Sequence, residues 1–537
     1  MKKTNISIFI LILLTISSCY DDKGNYNYEE IPLITIENID ASYSRLRNAD
    51  ILSITPHITS SIEGEITPDN PNFEYSCRLG NASGGQFSDG SWWHIINPDS
   101  TQAFTYLPTE NTGNYIAIYT VRDKRSDVAT NYEFNLEITS STYEGWMVLC
   151  SEGTDNRIRL DMVSVLSPER IEPLYDLLGN NSLITSLHNP TQIMLDRSRY
   201  ANRGDAIYLL SEEGAYRLDA EELSTDETGN LLESEFLADL QGDIPVRIST
   251  VSYGAGVYNT TSAYLAVTRD GNLYCRKVAT SGACYEFPIN VSSEGNDPEY
   301  IVSPRVASGK NRPGDTSAAL LYDMTNKRFM GWDEERNDGT VCFELTADAN
   351  ALFPYNTGKE FVYMEGTHFA NNTVFTILQD GSGARSVYGI NLSNSQFTQQ
   401  SYIENIQAEN FNQATSFAFH SQYPYMFYAY QDKLYTYNLG TQSLQQIITL
   451  PGEEITMVKF DLFKSPNPLD IPENMQAQQY YLLVGSYNGS NNGGTLRMYR
   501  FNNTTNQLEI IENRTYEGFG RIVDVTYRER FTMTVPS

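Results

Sequence analysis

A short apolar run, followed by a polar turn and a second strand-like segment, recurs along most of the chain. The copies begin at positions 146, 206, 263, 318, 373, 425 and 480, so that neighbouring copies lie 52 to 60 residues apart. A fixed period of this length, with several strands in each unit, is typical of a β-propeller in which each repeat forms one blade. The sequence therefore predicts a seven-bladed β-propeller over residues 143–535.

Each copy from the second onward is preceded by a further apolar segment, which predicts an additional strand in that blade. These upstream segments are residues 192–195, 248–251, 300–302, 361–364, 416–419 and 455–458. The first copy has no such segment, whereas residues 521–527 near the C-terminus form a strand-like run that belongs to no copy. We expect this C-terminal strand to complete the first blade, because closing the ring removes exposed sheet edges.

Residues 30–140, ahead of the repeats, show the alternation of a second all-β domain. The clearest segment is Gly113–Asp123, in which Tyr115, Ala117, Tyr119 and Val121 fall on one face at a period of two. A polar turn and a second alternating segment follow, which is the pattern of the last hairpin of an immunoglobulin-like β-sandwich. The predicted fold is therefore all-β, with this sandwich followed by the propeller.

The N-terminus has the layout of a signal peptide. Lys2 and Lys3 precede an apolar run at 6–16 that is much shorter than the roughly 20 residues a membrane-spanning helix needs. Ser17 and Ser18 then lead to Cys19, an arrangement that matches the cleavage site of bacterial lipoproteins. We expect residues 1–18 to be removed, Cys19 to be lipidated and residues 19–29 to form a tether. An ordinary signal peptide with a chance cysteine is the alternative.

Charge and motif content narrow the classes of function. The formal charge is −30, and loss of the two leader lysines makes it −32, so the surface repels nucleic acid. The chain has no HExxH, GxSxG or P-loop motif, and its five histidines lack ligand spacing. We therefore expect no catalytic residues, metal or cofactor. A carboxylate pair of the glycosidase type cannot be chosen from 67 acidic residues, which keeps an enzymatic alternative open.

The cysteines beyond the anchor leave one question open. They are Cys77, Cys150, Cys275, Cys284 and Cys342. Only Cys275 and Cys284 are close in sequence, and either a bridge between neighbouring strands or buried free thiols would fit. The absence of a CxxC pair disfavours a zinc or redox site.

Loops between the upstream strands and the hairpins are rich in cations and aromatic residues. Equivalent loops of a propeller lie on one face, so we predict a ligand or docking face there; solvated loop tips are the alternative. The residues predicted for this face are Tyr200, Arg203, Tyr258, Lys310, Arg312 and His368. In the sandwich, Trp92-Trp93-His94 is either a sugar-stacking loop or a packing element.

Two motifs carry a family resemblance. The opening Cys19-Tyr20-Asp21-Asp22-Lys23-Gly24-Asn25-Tyr26 and the G-x-Y-x-x-x-Y-x-V-x-D string of Gly113–Asp123 resemble the PKD-like family of lipoproteins in the Bacteroidota. The acidic residues after Cys19 also resemble a surface-export signal of such lipoproteins. The resemblance implies an outer-membrane lipoprotein facing the cell exterior, with a SusC/SusD-type importer as its partner. It further implies a non-catalytic role in capturing oligosaccharides or peptides; the alternative is a propeller-based glycan hydrolase or lyase.

Overall fold

A computed structural model gives the structure of the chain. It describes residues 31–167, 170–179, 181–196, 206–220, 222–225, 231–255, 258–278, 284–291, 297–308, 317–367, 373–393, 396–460 and 480–528. The predicted leader, Cys19 and the tether lie outside these residues. Among the described helices, none has the length and apolar character needed to cross a membrane. The chain divides into two units, residues 1–139 and 140–537.

The first unit is a β-sandwich. Its strands are β1 (Ile34–Glu37), β2 (Ser42–Leu46), β3 (Leu52–Ile54), β4 (His57–Ser60), β5 (Gly64–Glu65), β6 (Phe73–Asn81), β7 (His94–Ile95), β8 (Phe104–Tyr106), β9 (Gly113–Asp123) and β10 (Val128–Thr139). One sheet has the order β2-β10-β9-β6-β7, and the other layer consists of β1-β4-β5 and the pair β3-β8. Along β9, Tyr115, Ala117, Tyr119 and Val121 are buried in the core, which confirms the predicted face.

The second unit is the propeller, whose sheets contain three or four strands each. The first blade contains β11 (Gly145–Glu152), β12 (Arg157–Ser167) and β13 (Arg170–Leu174); the second contains β14 (Pro190–Asp196), β15 (Ala206–Ser211) and β16 (Ala215–Asp219); and the third contains β17 (Pro245–Ala255), β18 (Tyr258–Thr268) and β19 (Leu273–Lys277). The fourth blade contains β20 (Ala318–Asp323), β21 (Arg328–Asp333) and β22 (Phe343–Glu344), and the fifth contains β23 (Glu360–Gly366), β24 (Thr373–Gln379), β25 (Arg385–Asn391) and β26 (Thr398–Ile403). The sixth blade contains β27 (Ser416–Phe419), β28 (Tyr425–Tyr430), β29 (Lys433–Asn438) and β30 (Ser443–Thr449), and the seventh contains β31 (Glu454–Phe460), β32 (Leu482–Tyr487), β33 (Gly494–Asn502) and β34 (Gln507–Phe519). The described helices are short: the α-helix Ser182–Thr185 and the 3₁₀ turns Leu232–Glu235, Arg336–Gly339 and Phe411–Gln413.

The last strand, β35 (Arg521–Arg528), belongs to the first blade. It pairs antiparallel with β11, with Trp146 opposite Tyr527 and Val148 opposite Val525. The first blade therefore has the sheet order β13-β12-β11-β35, with strands from both ends of the propeller sequence. This pairing confirms the predicted closure by a C-terminal strand.

An apolar cluster lies between each pair of consecutive blades. The first and seventh blades, for example, share a cluster in which Trp146 and Val525 pack with Leu496 and Phe519. Corresponding clusters join the remaining neighbours around the ring. Because each cluster takes side chains from two blades, one blade cannot bury its apolar faces without its neighbours.

The fourth blade departs from the predicted pattern at its innermost segment. Residues 300–302 do not form a regular strand; the segment contacts β20 through isolated bridges, Val302 with Asp323 and Ala307 with Leu320. Pro304 lies between the bridged positions, and proline has no amide hydrogen to donate to a sheet ladder. The inner segment of this blade is therefore irregular where the prediction had a strand.

The described cysteines are free thiols. Cys275 is buried in the cluster between the third and fourth blades, and Cys284 is half-buried. Burial raises the pKa of the Cys275 thiol above its usual value, which disfavours the reactive thiolate. Of the two alternatives for this pair, the structure has the free thiols.

Candidate functional site

A cavity of about 500 Å³ lies where the inner segments of the blades meet. All seven blades contribute to its wall. The lining residues are 192–194, 247–250, 305–308, 362–366, 414–417, 456–459, 523, 524 and 526. The cavity is thus the centre of the propeller, and the ring must close before it exists.

Strand periodicity explains why the wall is polar. Side chains alternate between the two faces of a strand, and in the inner strands the apolar set packs between blades. In β17, Ile248 is buried whereas Arg247 and Ser249 are half-buried and line the cavity. In β23, Met364 is buried between Tyr363 and Glu365, which also line the cavity.

Lining side chains also connect one inner segment to the next. In six pairs of neighbouring blades, a described side chain bonds to the main chain of the adjacent inner segment. These contacts are Asp524 to the Ile193 amide (3.2 Å), Gln192 to Ile248 (2.7 and 2.8 Å), Ser249 to the Val306 carbonyl (2.6 Å), Glu365 to the Phe419 amide (2.9 Å), Ser416 to the Val458 amide (2.8 Å) and Lys459 to the Val525 carbonyl (2.6 Å). Between the fourth and fifth blades, the Arg305 guanidinium lies 4.6 Å from the ring centre of Tyr363. We call these contacts the inner girdle.

Two arginines give the cavity its most distinctive charge. Arg247 donates from its guanidinium to the Thr191 carbonyl at 2.9 Å, and Arg305 stacks on Tyr363. Burial, together with the charge of Arg305, lowers the pKa of Arg247 to about 10. Among the residues that the structure describes, neither guanidinium lies within ion-pair distance of a carboxylate. Two cations that repel each other therefore share one cavity without a close counter-ion from the described part of the chain.

The two carboxylates of the cavity have different environments. Asp524 accepts a hydrogen bond from the Lys459 ammonium at 2.8 Å. Burial acts to raise the pKa of Asp524, but the charges of Lys459 and Arg247 outweigh it, and the pKa is lowered. Burial raises the pKa of Glu365 to about 7, although the Phe419 amide and the hydroxyl of Tyr363 both donate to its carboxylate. At neutral pH, the cations Arg247, Arg305 and Lys459 therefore share the cavity with two carboxyl groups. Asp524 carries a full negative charge and Glu365 a partial one.

The raised pKa of Glu365 makes a testable contribution to stability. Because folding raises this pKa from 4.5 to about 7, the protonated form favours the folded state. That stability is fully present below about pH 4.5 and is lost as the pH rises through 7. We expect Glu365→Gln to stabilise the protein at pH 8 by about 1–3 kcal/mol, since each pKa unit corresponds to about 1.4 kcal/mol and partial exposure reduces the effect.

Urea unfolding of wild type and Glu365→Gln at pH 8 and pH 4.5 measures this effect. The glutamine retains an oxygen that can accept from the Phe419 amide, so the inner girdle is preserved. The stability difference should shrink towards zero at pH 4.5. An equal difference at both pH values would mean that the effect does not come from ionisation of Glu365.

The predicted loop face is a separate set of residues. Tyr200, Arg203, Lys310, Arg312 and His368 lie outside the described residues, and so does the side chain of Tyr258, whose backbone begins β18. That hypothesis stays a prediction. No group of three or more His, Cys, Asp or Glu side chains suited to a metal ion occurs in the described ranges.

The cavity residues were not among the predicted site residues. Four of the charged cavity residues lie in or beside the predicted inner strands: Arg247, Glu365, Lys459 and Asp524. The fifth, Arg305, follows Pro304 in the irregular inner segment. The available signal was a charged residue directly beside or within the short apolar run of several blades. Functional residues are more often found in loops, and the prediction of a loop face rests on that tendency.

Several solved structures are similar to this chain at low sequence identity. A quinonprotein alcohol dehydrogenase-like protein from Bacteroides thetaiotaomicron is 13% identical, with 92% of this chain and 97% of that chain covered and a TM-score of 0.41. The WD40 domain of SCAP from fission yeast is 9% identical, with 59% and 63% covered and a TM-score of 0.32. Apo AztD from Citrobacter koseri is 8% identical, with 85% and 98% covered and a TM-score of 0.33.

No curated protein matches the chain at a significant level. The model of the PKD-like family matches residues 19–170. The matched range includes both motifs on which the resemblance was based, the opening at Cys19 and the strand β9, and it ends in the first blade. The chain therefore contains a PKD-like family domain at residues 19–170.

Proposed function

We propose that this chain is an outer-membrane surface lipoprotein whose propeller binds an anionic oligosaccharide or peptide in its central cavity, without catalysing a reaction on it. The observation that carries this proposal is the pair Arg247 and Arg305, which face the cavity without an ion-pair partner among the described residues. A ligand carboxylate between them would replace mutual repulsion with attraction. Guanidinium groups suit this role because they bind carboxylates in a bidentate manner.

The size and composition of the cavity suit a small molecule or one end of a longer chain. A volume of about 500 Å³ falls in the range of small-molecule sites, roughly 300–1,000 Å³. The polar lining offers hydroxyl and amide groups from Ser249, Ser308 and Gln192 beside the cations. A uronic-acid sugar or the C-terminal end of a peptide combines a carboxylate with several hydrogen-bonding groups, which fits this wall.

The location and partner in this proposal depend on the N-terminal part of the chain. Cleavage before Cys19 would leave a lipid-anchored protein, and the PKD-like domain at 19–170 supports membership of a lipoprotein class found with SusC/SusD-type importers. We expect the mature protein to co-purify with such an importer after detergent extraction. Labelled fatty acid should be incorporated into wild type and not into a Cys19→Ala protein.

Arg305→Met tests the cavity directly. We expect this substitution to weaken binding of uronic-acid oligosaccharides or acidic peptides at least about tenfold, because a charge-assisted hydrogen bond contributes about 1.5–3 kcal/mol. Titration calorimetry at two salt concentrations measures the effect. Arg305→Lys keeps the charge but lacks the planar set of guanidinium donors, so its affinity should lie between those of Arg305→Met and wild type.

The matched control is Arg157→Met, which removes an exposed arginine that pairs with Glu152. Its affinity should equal that of wild type. Melting curves of each variant separate a loss of binding from a loss of structure, because Arg305 also belongs to the inner girdle. Unchanged affinity in a folded Arg305→Met protein would contradict the proposed site.

A glycan hydrolase or lyase is the second candidate. The observation in its favour is the split between the two cavity carboxylates, since a raised pKa at Glu365 and a lowered one at Asp524 resemble an acid and base pair. Both groups are, however, engaged in the inner girdle, which favours binding over catalysis. If wild type released reducing ends from a polysaccharide and Glu365→Gln did not, the chain would be an enzyme instead.

A further inference from the structure

The sandwich displays an exposed aromatic pair. Trp92 and Trp93 keep 58% and 41% of their surface exposed, whereas the other two tryptophans, Trp146 and Trp332, are buried at 1% and 0%. Tryptophan is usually buried over most of its surface, so two adjacent exposed rings form an unusual apolar surface. Ile95, in the short edge strand β7 that follows them, is also exposed.

Trp93 lies flat against the sheet. A Cβ atom added to Gly80 would come within 2.6, 2.8 and 3.0 Å of three neighbouring atoms of the six-membered ring, so the ring faces the Gly80 backbone. The Arg78 guanidinium carbon lies 4.5 Å from the centre of the Trp93 ring. Arg78 and Gly80 are two residues apart in β6, on the face opposite the buried Cys77 and Leu79. The absence of a side chain at position 80 is therefore what lets the indole lie flat on the sheet.

The loop that carries the pair is held by its own contacts. Phe87 stacks on His94 with ring centres 3.7 Å apart, and the His94 ring contacts Glu110 at 2.9 Å and Asp89 at 3.2 Å. A turn is closed by the Phe87 amide, which donates to the Ser91 carbonyl at 2.8 Å. A loop fixed in this way loses little conformational entropy on binding, which favours a ligand with few contacts.

We propose that Trp92 and Trp93 form a carbohydrate-binding platform on which a pyranose ring of an oligosaccharide stacks. The C–H face of a sugar ring is flat and weakly apolar, and it matches an open indole face. The guanidinium of the exposed Arg78 provides donors for sugar hydroxyls beside that face. This site lies within the sandwich and does not depend on the function proposed for the cavity.

The surroundings favour a sugar over a protein partner. A stable protein interface usually buries about 800 Å² on each side and has a continuous apolar centre. On the outward face of the same sheet, Ile118 and Ile116 of β9 pair with Arg78 and Gly80 and are half-buried, and the exposed Glu133 and Asn135 of β10 pair with them in turn. A narrow apolar strip that polar groups bound in this way fits one or two sugar rings.

Two measurements on the mature chain test the platform. In native gels containing soluble plant, fungal or bacterial polysaccharides, we expect at least one polysaccharide to retard wild type. The same polysaccharide should protect tryptophan fluorescence from quenching by iodide, since the quenchable tryptophans are the exposed pair. Trp93→Ala should lower the apparent affinity, as determined from the retardation, at least tenfold.

Further variants separate the platform from the fold and from the cavity. Gly80→Val keeps both tryptophans but places a side chain under the Trp93 ring, and it should weaken binding as Trp93→Ala does. Phe287→Ala, which removes an exposed aromatic residue of the propeller, should leave retardation unchanged. Protection of the exposed tryptophans from iodide distinguishes binding at the platform from binding in the cavity. The proposal is overturned if no polysaccharide retards wild type, if Trp93→Ala binds as wild type does, or if a protein rather than a sugar protects the pair from iodide.

Discussion

Deletion of the residues after Gly518 should unfold the propeller cooperatively. The deletion removes β35, which pairs with β11 along the first blade and supplies Asp524 to the inner girdle. The deletion also removes four buried hydrophobic side chains, Phe519, Ile522, Val525 and Tyr527. Burial of one large apolar side chain contributes about 1.5–3 kcal/mol, so their loss costs about as much as the 5–15 kcal/mol by which a typical domain is stable.

Thermal melts followed by circular dichroism, together with a dye that binds exposed apolar surface, measure this outcome. The matched control is deletion of residues 529–537 alone, which leaves β35 in place and should melt close to the full-length protein. If the protein truncated after Gly518 kept the melting temperature of the control, β35 would not be needed to close the ring.

Arg276→Met should be the most destabilising of the single substitutions considered for this chain. Arg276 is 1% exposed and donates to Asp196 at 3.1 Å and to Glu235 at 3.3 Å. Its guanidinium carbon also lies 4.1 Å from the ring centre of Tyr264. The substitution removes the cation that the buried carboxylates of Asp196 and Glu235 both contact. Breaking a buried ion pair in this way costs about 3–5 kcal/mol.

Equilibrium unfolding in urea, followed by a probe specific to the propeller, tests this prediction. Arg157→Met is the matched control because Arg157 pairs with Glu152 on the surface, where an ion pair contributes at most about 1 kcal/mol. Combining Arg276→Met with Asp196→Asn and Glu235→Gln should recover part of the lost stability, since the two buried negative charges that faced the guanidinium are then removed as well. A triple variant no more stable than Arg276→Met would show that packing, not charge, dominates.

The number of blades and their closure could be predicted from sequence because both depend on local patterns. The hairpins at 206, 318, 373 and 425 begin where β15, β20, β24 and β28 begin. The unclaimed run at 521–527 lies within β35, since a strand without a partner in its own repeat needs an edge to pair with. Period and alternation suffice for such assignments.

The cavity could not be assembled from sequence in the same way. Arg247 and Arg305 are 58 positions apart and belong to different blades; they share a cavity only because the ring brings inner segments together. Strand periodicity indicates which residues of one strand share a face, but not which strands of seven blades line a common space. Pro304 adds a second difficulty, because the segment with Arg305 breaks the repeat pattern there.

The inner girdle links occupancy of the cavity to the integrity of the whole propeller. Side chains such as Glu365 and Lys459 line the cavity and also hold neighbouring blades together, so a ligand bound in the cavity should raise the melting temperature. A ligand at 100 times its dissociation constant adds about 2.7 kcal/mol to the free energy of unfolding. Screening by thermal shift would thus find cavity ligands without knowledge of their chemistry, and evolution of a new ligand preference in this chain would have to preserve closure at the same positions.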